Sequence, residues 1–169
     1  WAGYGAETVT WQAADPDGDP LRFTVLYSPD GGATWQTVAT DIAGSQAILD
    51  LAGIPGSDAG RVRVVVTDGV NTAWDDSDGV VVVVQKPPQV YIGRPADRSA
   101  VPLGSPLFLE GGAFDVEDGV MADERAFTWS SDREGALGSG RVLYVEDLLA
   151  GWHRITLRAV DSGQAAGEA

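Results

Sequence analysis

Short apolar runs with a two-residue period fill this chain, and turn residues separate them. Val62, Val64 and Val66 face one way while Arg61, Arg63, Val65 and Thr67 face the other. Further along, Ile155, Leu157 and Ala159 alternate with Arg154, Thr156, Arg158 and Val160. Alternation at period two marks a strand with one buried face. Runs of this kind predict strands near 7–13, 21–28, 34–40, 46–51, 61–67 and 79–85, then near 89–92, 107–113, 125–131, 141–145 and 153–160. The longest apolar run, Val80–Val84, reads as a buried strand. Helical spacing is confined to two short candidates, 121–125 and 147–150. Many short strands at this spacing predict an all-β protein built from antiparallel sandwiches.

The pattern occurs twice. Asp15-Pro16-Asp17-Gly18-Asp19 is echoed by Asp115-Val116-Glu117-Asp118-Gly119, each between a strand-like run and an aromatic-bearing one. Both penultimate strands end alike, in Thr67-Asp68-Gly69 and Val160-Asp161-Ser162-Gly163. Lys86-Pro87-Pro88 lies between the copies. Two prolines cannot donate ladder hydrogen bonds, so they end a strand and form a short, stiff joint. The expected organisation is therefore two tandem sandwiches, residues 1–86 and 87–169, each large enough for a modest core. The Gly/Ala-rich tail 163–169 offers no convincing strand. The second sandwich is thus expected to be truncated at its C-terminal end, without its last strand and with an open sheet edge.

Trp11 on the second strand, Val25 and Tyr27 on the third, and Leu51 before the penultimate strand make the first half resemble a fibronectin type III-like domain. The second half carries Pro88–Ile92, Gly112–Asp115, Glu117–Gly119, Trp129–Asp132 and Gly151–Leu157. In those stretches it resembles an immunoglobulin-like module of the polycystin- or cadherin-like kind found in bacterial exported proteins. The resemblance implies a tyrosine corner before each penultimate strand. Gly60 and His153 stand at that position, so the first half is expected to lack the tie and the second to use His153.

Charge narrows the function classes. Residues 1–86 hold 4 basic against 12 acidic residues, net −8, and 87–169 hold 7 against 13, net −6. Nucleic-acid binding needs clustered Lys and Arg, so it is excluded, and docking on an anionic membrane is disfavoured. No apolar run reaches the 18 residues of a membrane span. The chain has no cysteine, which removes disulfides, thiolate zinc sites and cysteine nucleophiles. It begins at Trp1, which suggests a piece of a longer protein, and its ten Arg to one Lys suggest a GC-rich microbial source.

The acidic turns are the first candidate chemistry. Calcium takes six to eight oxygens, and alternating carboxylates around a glycine let one turn supply several. Turns after the second and penultimate strands lie at the same end of a sandwich. Asp15, Asp17 and Asp19 could thus meet Asp68, with Asp75, Asp76 or Asp78 as further candidates, and Asp115, Glu117 and Asp118 could meet Asp161. The competing reading is that these residues simply cap turn amides. In cadherin-like pairs, a cation at the second turn would stiffen the joint.

Ser28-x-Asp30-x-Gly32-x-Thr34-Trp35 fits the Asp-box pattern S-x-D-x-G-x-T-W. That pattern resembles the hairpin repeated in sialidase propellers. A propeller needs several copies, so one copy predicts a structural hairpin rather than activity. Trp74 and Trp152 are candidates for stacking on a sugar or a partner protein, against partial burial under a loop. His153, the one histidine, has no nucleophile motif beside it.

Together these features predict a non-catalytic spacer or adhesion-type segment of a secreted or cell-surface protein, with calcium as the candidate ion. The alternative is a carbohydrate- or protein-binding accessory module of a secreted hydrolase, which exposed aromatics on one flat face would favour.

Overall fold

The computed structural model describes residues 2, 3 and 5–169, with side-chain environments from Gly5 onward. The chain divides into two units, Trp1–Gln85 and Lys86–Ala169. Both are built from strands and short 3-10 turns.

Unit 1 comprises β1 (Ala2–Gly3), β2 (Ala6–Thr10), β3 (Arg22–Ser28), β4 (Gln36–Ile42), β5 (Gln46–Asp50), β6 (Ser57–Thr67), β7 (Thr72–Asp76) and β8 (Val81–Val83). β2 pairs antiparallel with β5 to form the small sheet. The larger sheet runs β4–β3–β6, with β7 and β8 both on β6, and β1 parallel to β8. β3 and β6 align Val25 with Val64 and Tyr27 with Val62. Val25, Tyr27, Leu49, Leu51, Val62, Val81 and Val83 are buried between the sheets. Each fully buried side chain of this size contributes about 1.5–3 kcal/mol.

One detail departs from expectation. The valine run is not buried throughout: Val81 and Val83 point inward while Val80 is exposed, as befits a strand with one covered face. At Gly60 a β-carbon would strike the Val81 carbonyl and the Tyr27 ring. A different bond links this region: the Tyr27 hydroxyl on β3 donates to the Pro55 carbonyl, on the approach to β6, at 3.0 Å.

Unit 2 comprises β9 (Gln89–Arg94), β10 (Leu107–Asp115), β11 (Gly119–Val120), β12 (Phe127–Ser131), β13 (Gly135–Ser139), β14 (Val142–Val145), β15 (Ile155–Val160) and β16 (Ala166–Glu168). One sheet has β10 at its centre, with β9 on one edge and β14 and β11 on the other. The second runs β13–β12–β15–β16. Leu109, Phe127, Trp129, Leu157 and Ala159 are fully buried between them. The Trp129 indole donates to the Gly140 carbonyl at 2.8 Å, which satisfies its one polar atom in the core.

The expected truncation is corrected here. β16 pairs with β15 in antiparallel register, Arg158 with Glu168 and Val160 with Ala166. The small residues that argued against a strand are what allow it. A β-carbon at Gly167 would overlap the Pro88 carbonyl and crowd Val90, so glycine lets the last strand lie close beside the first. The helical candidates also fail. Residues 124–126 form a single 3-10 turn capped by Asp123, and 147–150 are irregular.

Candidate functional site

Four turns carry the predicted metal-ligating residues. In the first, the Asp15 carboxylate accepts from the Asp17 and Asp19 amides at 2.9 and 3.0 Å, and the side chains of Asp17 and Asp19 are exposed. Asp68 closes its own turn: one oxygen accepts from the Val70 and Asn71 amides, the other from the Asn71 side chain. The Asn71 side chain and these amides hold the Asp68 carboxyl down at about 2, from an ordinary 3.8. Both turns of unit 1 are closed on themselves.

Unit 2 differs. Asp115 is 1 % exposed. Its Oδ1 accepts from the Glu117 and Asp118 amides at 2.8 and 2.9 Å. Its Oδ2 is buried with no hydrogen-bond partner among the described residues. Glu117 accepts from the Lys86 amide at 3.4 Å, where the chain enters the unit. Asp118 reaches the turn after β15, accepting from the Ser162 amide at 2.8 Å and its hydroxyl at 2.7 Å. Asp161, also buried, accepts from the Ala165 amide. The structure thus brings together the two turns that the repeat assigned to one end of the sandwich. Among the described residues, no group of three or more Asp, Glu or His side chains converges as a shell for a metal ion.

The turn between β3 and β4 contains the eight-residue motif. Asp30 accepts from the Ser28 hydroxyl at 2.7 Å, the Thr34 amide at 2.8 Å and the Thr34 hydroxyl at 2.6 Å. The Gly32 amide donates to Ser28, and the Trp35 indole donates to the Gly32 carbonyl at 3.0 Å. The Thr34 hydroxyl, then its amide, then Ser28 hold the Asp30 carboxyl at about 2.

Sequence reasoning missed what stands beside this turn. The Arg63 guanidinium lies 4.2 Å from the Trp35 ring and 5.6 Å from that of Trp74. It also makes a forked bond to Asp76, at 2.5 and 2.9 Å. That bond raises Arg63 and lowers Asp76 from their ordinary ranges. Trp74 is 64 % exposed and Trp152 is 77 % exposed, so neither is buried under a loop.

His153 makes the corner tie that its position implies. Its Nε2 lies 2.7 Å from the Leu149 carbonyl, four residues upstream, and its Nδ1 lies 2.8 Å from the Ser131 hydroxyl. Nε2 therefore carries a proton and donates to Leu149. Ser131 is buried on β12, so its hydroxyl is not presented to a substrate. The contact holds the corner and offers no open nucleophile.

No protein-family model matches the chain, and no curated protein matches it. Solved structures with a similar course include the N-terminal four Ig domains of Dscam1 isoform 9.44, at 17% identity and a TM-score of 0.44 over 99% of this chain. Isoform 6.9 gives 18% and 0.42 over 99%. The chain spans 40% of the length of each of these two structures. The fibronectin(III)-like modules of Clostridium thermocellum CbhA give 18% and 0.42, covering 100% of this chain and 84% of theirs. The strand pairing described above stands without them: an all-β chain whose strands pair almost throughout in antiparallel register. No helix among the described residues is long and apolar enough to cross a membrane.

Proposed function

We propose that this chain is a non-catalytic segment of a larger secreted or cell-surface protein, serving as a spacer or adhesion-type module. The observation that supports it is where the polar side chains are engaged. Asp15, Asp30, Asp68, Asp118 and Asp161 each close or join turns of the scaffold, and the histidine holds a strand corner. Catalytic sites instead direct such groups into a cleft.

Calcium is part of this reading, at the second acidic turn. Asp115 Oδ2 is a buried oxygen without a hydrogen-bond partner among the described residues, and a hard cation is one way to satisfy it. Glu117, Asp118 and Asp161 would supply further oxygens, with Asp118 turning away from Ser162. Asp15, Asp17, Asp19 and Asp68 are the weaker set, because none of their oxygens is both buried and without a hydrogen-bond partner. Affinity would be that of extracellular modules, on the order of 10⁻⁴ M. Melting the protein in millimolar calcium and in chelator, at matched ionic strength, tests it. A ligand that binds only the folded state raises the melting temperature. The expected result is a rise of several degrees that Asp115→Asn abolishes; an unchanged melt leaves these residues as turn caps.

The second reading, an accessory module that binds carbohydrate or protein, is favoured by exposed aromatic side chains in both units.

A further inference from the structure

One face of unit 2 is built as a platform. The side chains on the outer surface of the β9–β10–β14 sheet form a continuous row fixed by strand register. Phe108 on β10 pairs with Tyr144 on β14, their ring centroids 4.9 Å apart. Glu110 lies next along β10, flanked by Val142 on one edge and Arg94 on the other. Gly112 pairs with Tyr91, and Phe114 pairs with Val120 on β11. Tyr91 is 57 % exposed and Tyr144 is 66 % exposed; Val142, Phe114 and Val120 are exposed as well.

The row crosses a register shift in the β9–β10 pairing between Glu110 and Gly111, and glycine shapes the surface beyond it. A β-carbon at Gly112 would meet the Tyr91 ring at 2.7–3.1 Å. Glycine there lets the ring lie across the central strand. Arg94 is held over the Phe108 ring at 5.8 Å and lies 3.5 Å from the Glu110 carboxylate. A shallow groove of about 350 Å³ runs alongside, lined in part by Tyr91, Glu110, Val142 and Arg141. The Arg141 Nε–H is buried with no acceptor among the described residues. None of these aromatics contributes to the sandwich core, and a contiguous apolar face of this kind marks a binding surface.

We propose that this face binds an uncharged polysaccharide chain, its sugar rings stacked by their apolar faces on Tyr91, Tyr144 and Phe114. Two observations select that occupant. The first is charge. The face carries one cation and one anion that neutralise each other, on a chain whose net charge is −14. A second copy of this acidic chain would be repelled, and an anionic glycan equally so. The second is size. Phe108 to Phe114 spans about 20 Å of strand, and three strands with their side chains cover about 15 Å, so the face offers about 300 Å². A stable protein interface takes about 800 Å² from each partner. An aromatic-bearing strip of this length suits a run of sugar rings instead. Arg94 and Glu110 would meet hydroxyls along its edge.

This inference rests on the second of the two readings above and is independent of calcium. Its test is binding of the full chain, in chelator, to insoluble cellulose, soluble mixed-linkage β-glucan and xylan. Pull-down serves the first and affinity electrophoresis the other two. Binding to at least one probe is expected, weakened about tenfold or more by Tyr91→Ala and by Tyr144→Ala. Both side chains are exposed and lie at separate points of the row, so loss of fold in one variant leaves the other as the readout. Binding to none of the three probes overturns the proposal. So does binding that both variants retain, or sedimentation that shows the face buried in a dimer which Tyr144→Ala dissociates. Each of those results leaves the spacer reading and its calcium melt untouched.

Discussion

A carboxylate that accepts three hydrogen bonds within one turn is harder to protonate, and Asp30 accepts them from Thr34 and Ser28. Its folded value of about 2 lies below the ordinary 3.8. The stability this contributes is fully present above about pH 4 and is lost as pH falls toward 2. Asp68, held at about 2 by Asn71 and its amides, adds to the same window with the same sign. The denaturant midpoint of unit 1 should therefore fall between about pH 4 and pH 2. Asp30→Asn should lower the midpoint at neutral pH and flatten that fall, both read from tryptophan fluorescence. An unchanged pH slope in the variant would contradict the assignment. This turn was legible beforehand because its partners lie within eight residues of sequence, from Ser28 to Trp35. The link from Asp118 to Ser162 was legible only as a shared end of the sandwich, since 44 residues separate the pair. Arg63 between Trp35 and Trp74 was not legible at all, because three different strands or turns bring those side chains together.

At the scale of elements, strands that carry core residues announce themselves by alternation. β3, β6, β10 and β15 lie close to their expected positions for that reason. β7, β11, β13 and β16 do not, because their own residues are exposed or small and their partners make them strands. β16 is the clearest case. It is held by paired bonds between Leu157 and Ala169, at 3.1 and 3.0 Å, and by the space that Gly167 leaves beside Pro88. Gly167→Val would place a branched side chain into that backbone. Overpacking of this kind costs about 1–3 kcal/mol, and each kcal/mol lowers the melting temperature of a domain this size by roughly 4–8 °C. The variant should melt lower, and the Ala169 amide should lose its protection from hydrogen exchange. Retained protection would mean that the last strand is not held by this close approach.

For the molecule as a whole, the question is whether its charge works for or against folding. The net charge is −14, and both halves are acidic. Against this stand exposed pairs such as Arg22–Asp41 at 3.6 Å, Arg98–Asp97 at 3.7 Å and Arg158–Glu168 at 3.7 Å. Pairs of that kind contribute between nothing and about 1 kcal/mol each. Self-repulsion among the surplus carboxylates acts on the compact state as a whole. The two effects respond to salt with opposite signs. Screening an attractive pair lowers stability, while screening a repulsive surplus raises it; the Debye length shrinks from about 30 Å at 0.01 M to about 3 Å at 1 M. With 25 acidic against 11 basic residues, repulsion should prevail. The melting temperature should climb as sodium chloride rises from about 0.01 M to about 0.5 M, and level off once the Debye length falls below the spacing of surface charges. A fall over that range would mean that the ion pairs outweigh the surplus. Calcium at fixed ionic strength should add its own increment on the plateau, because occupying Asp115 is a local event that monovalent screening does not imitate.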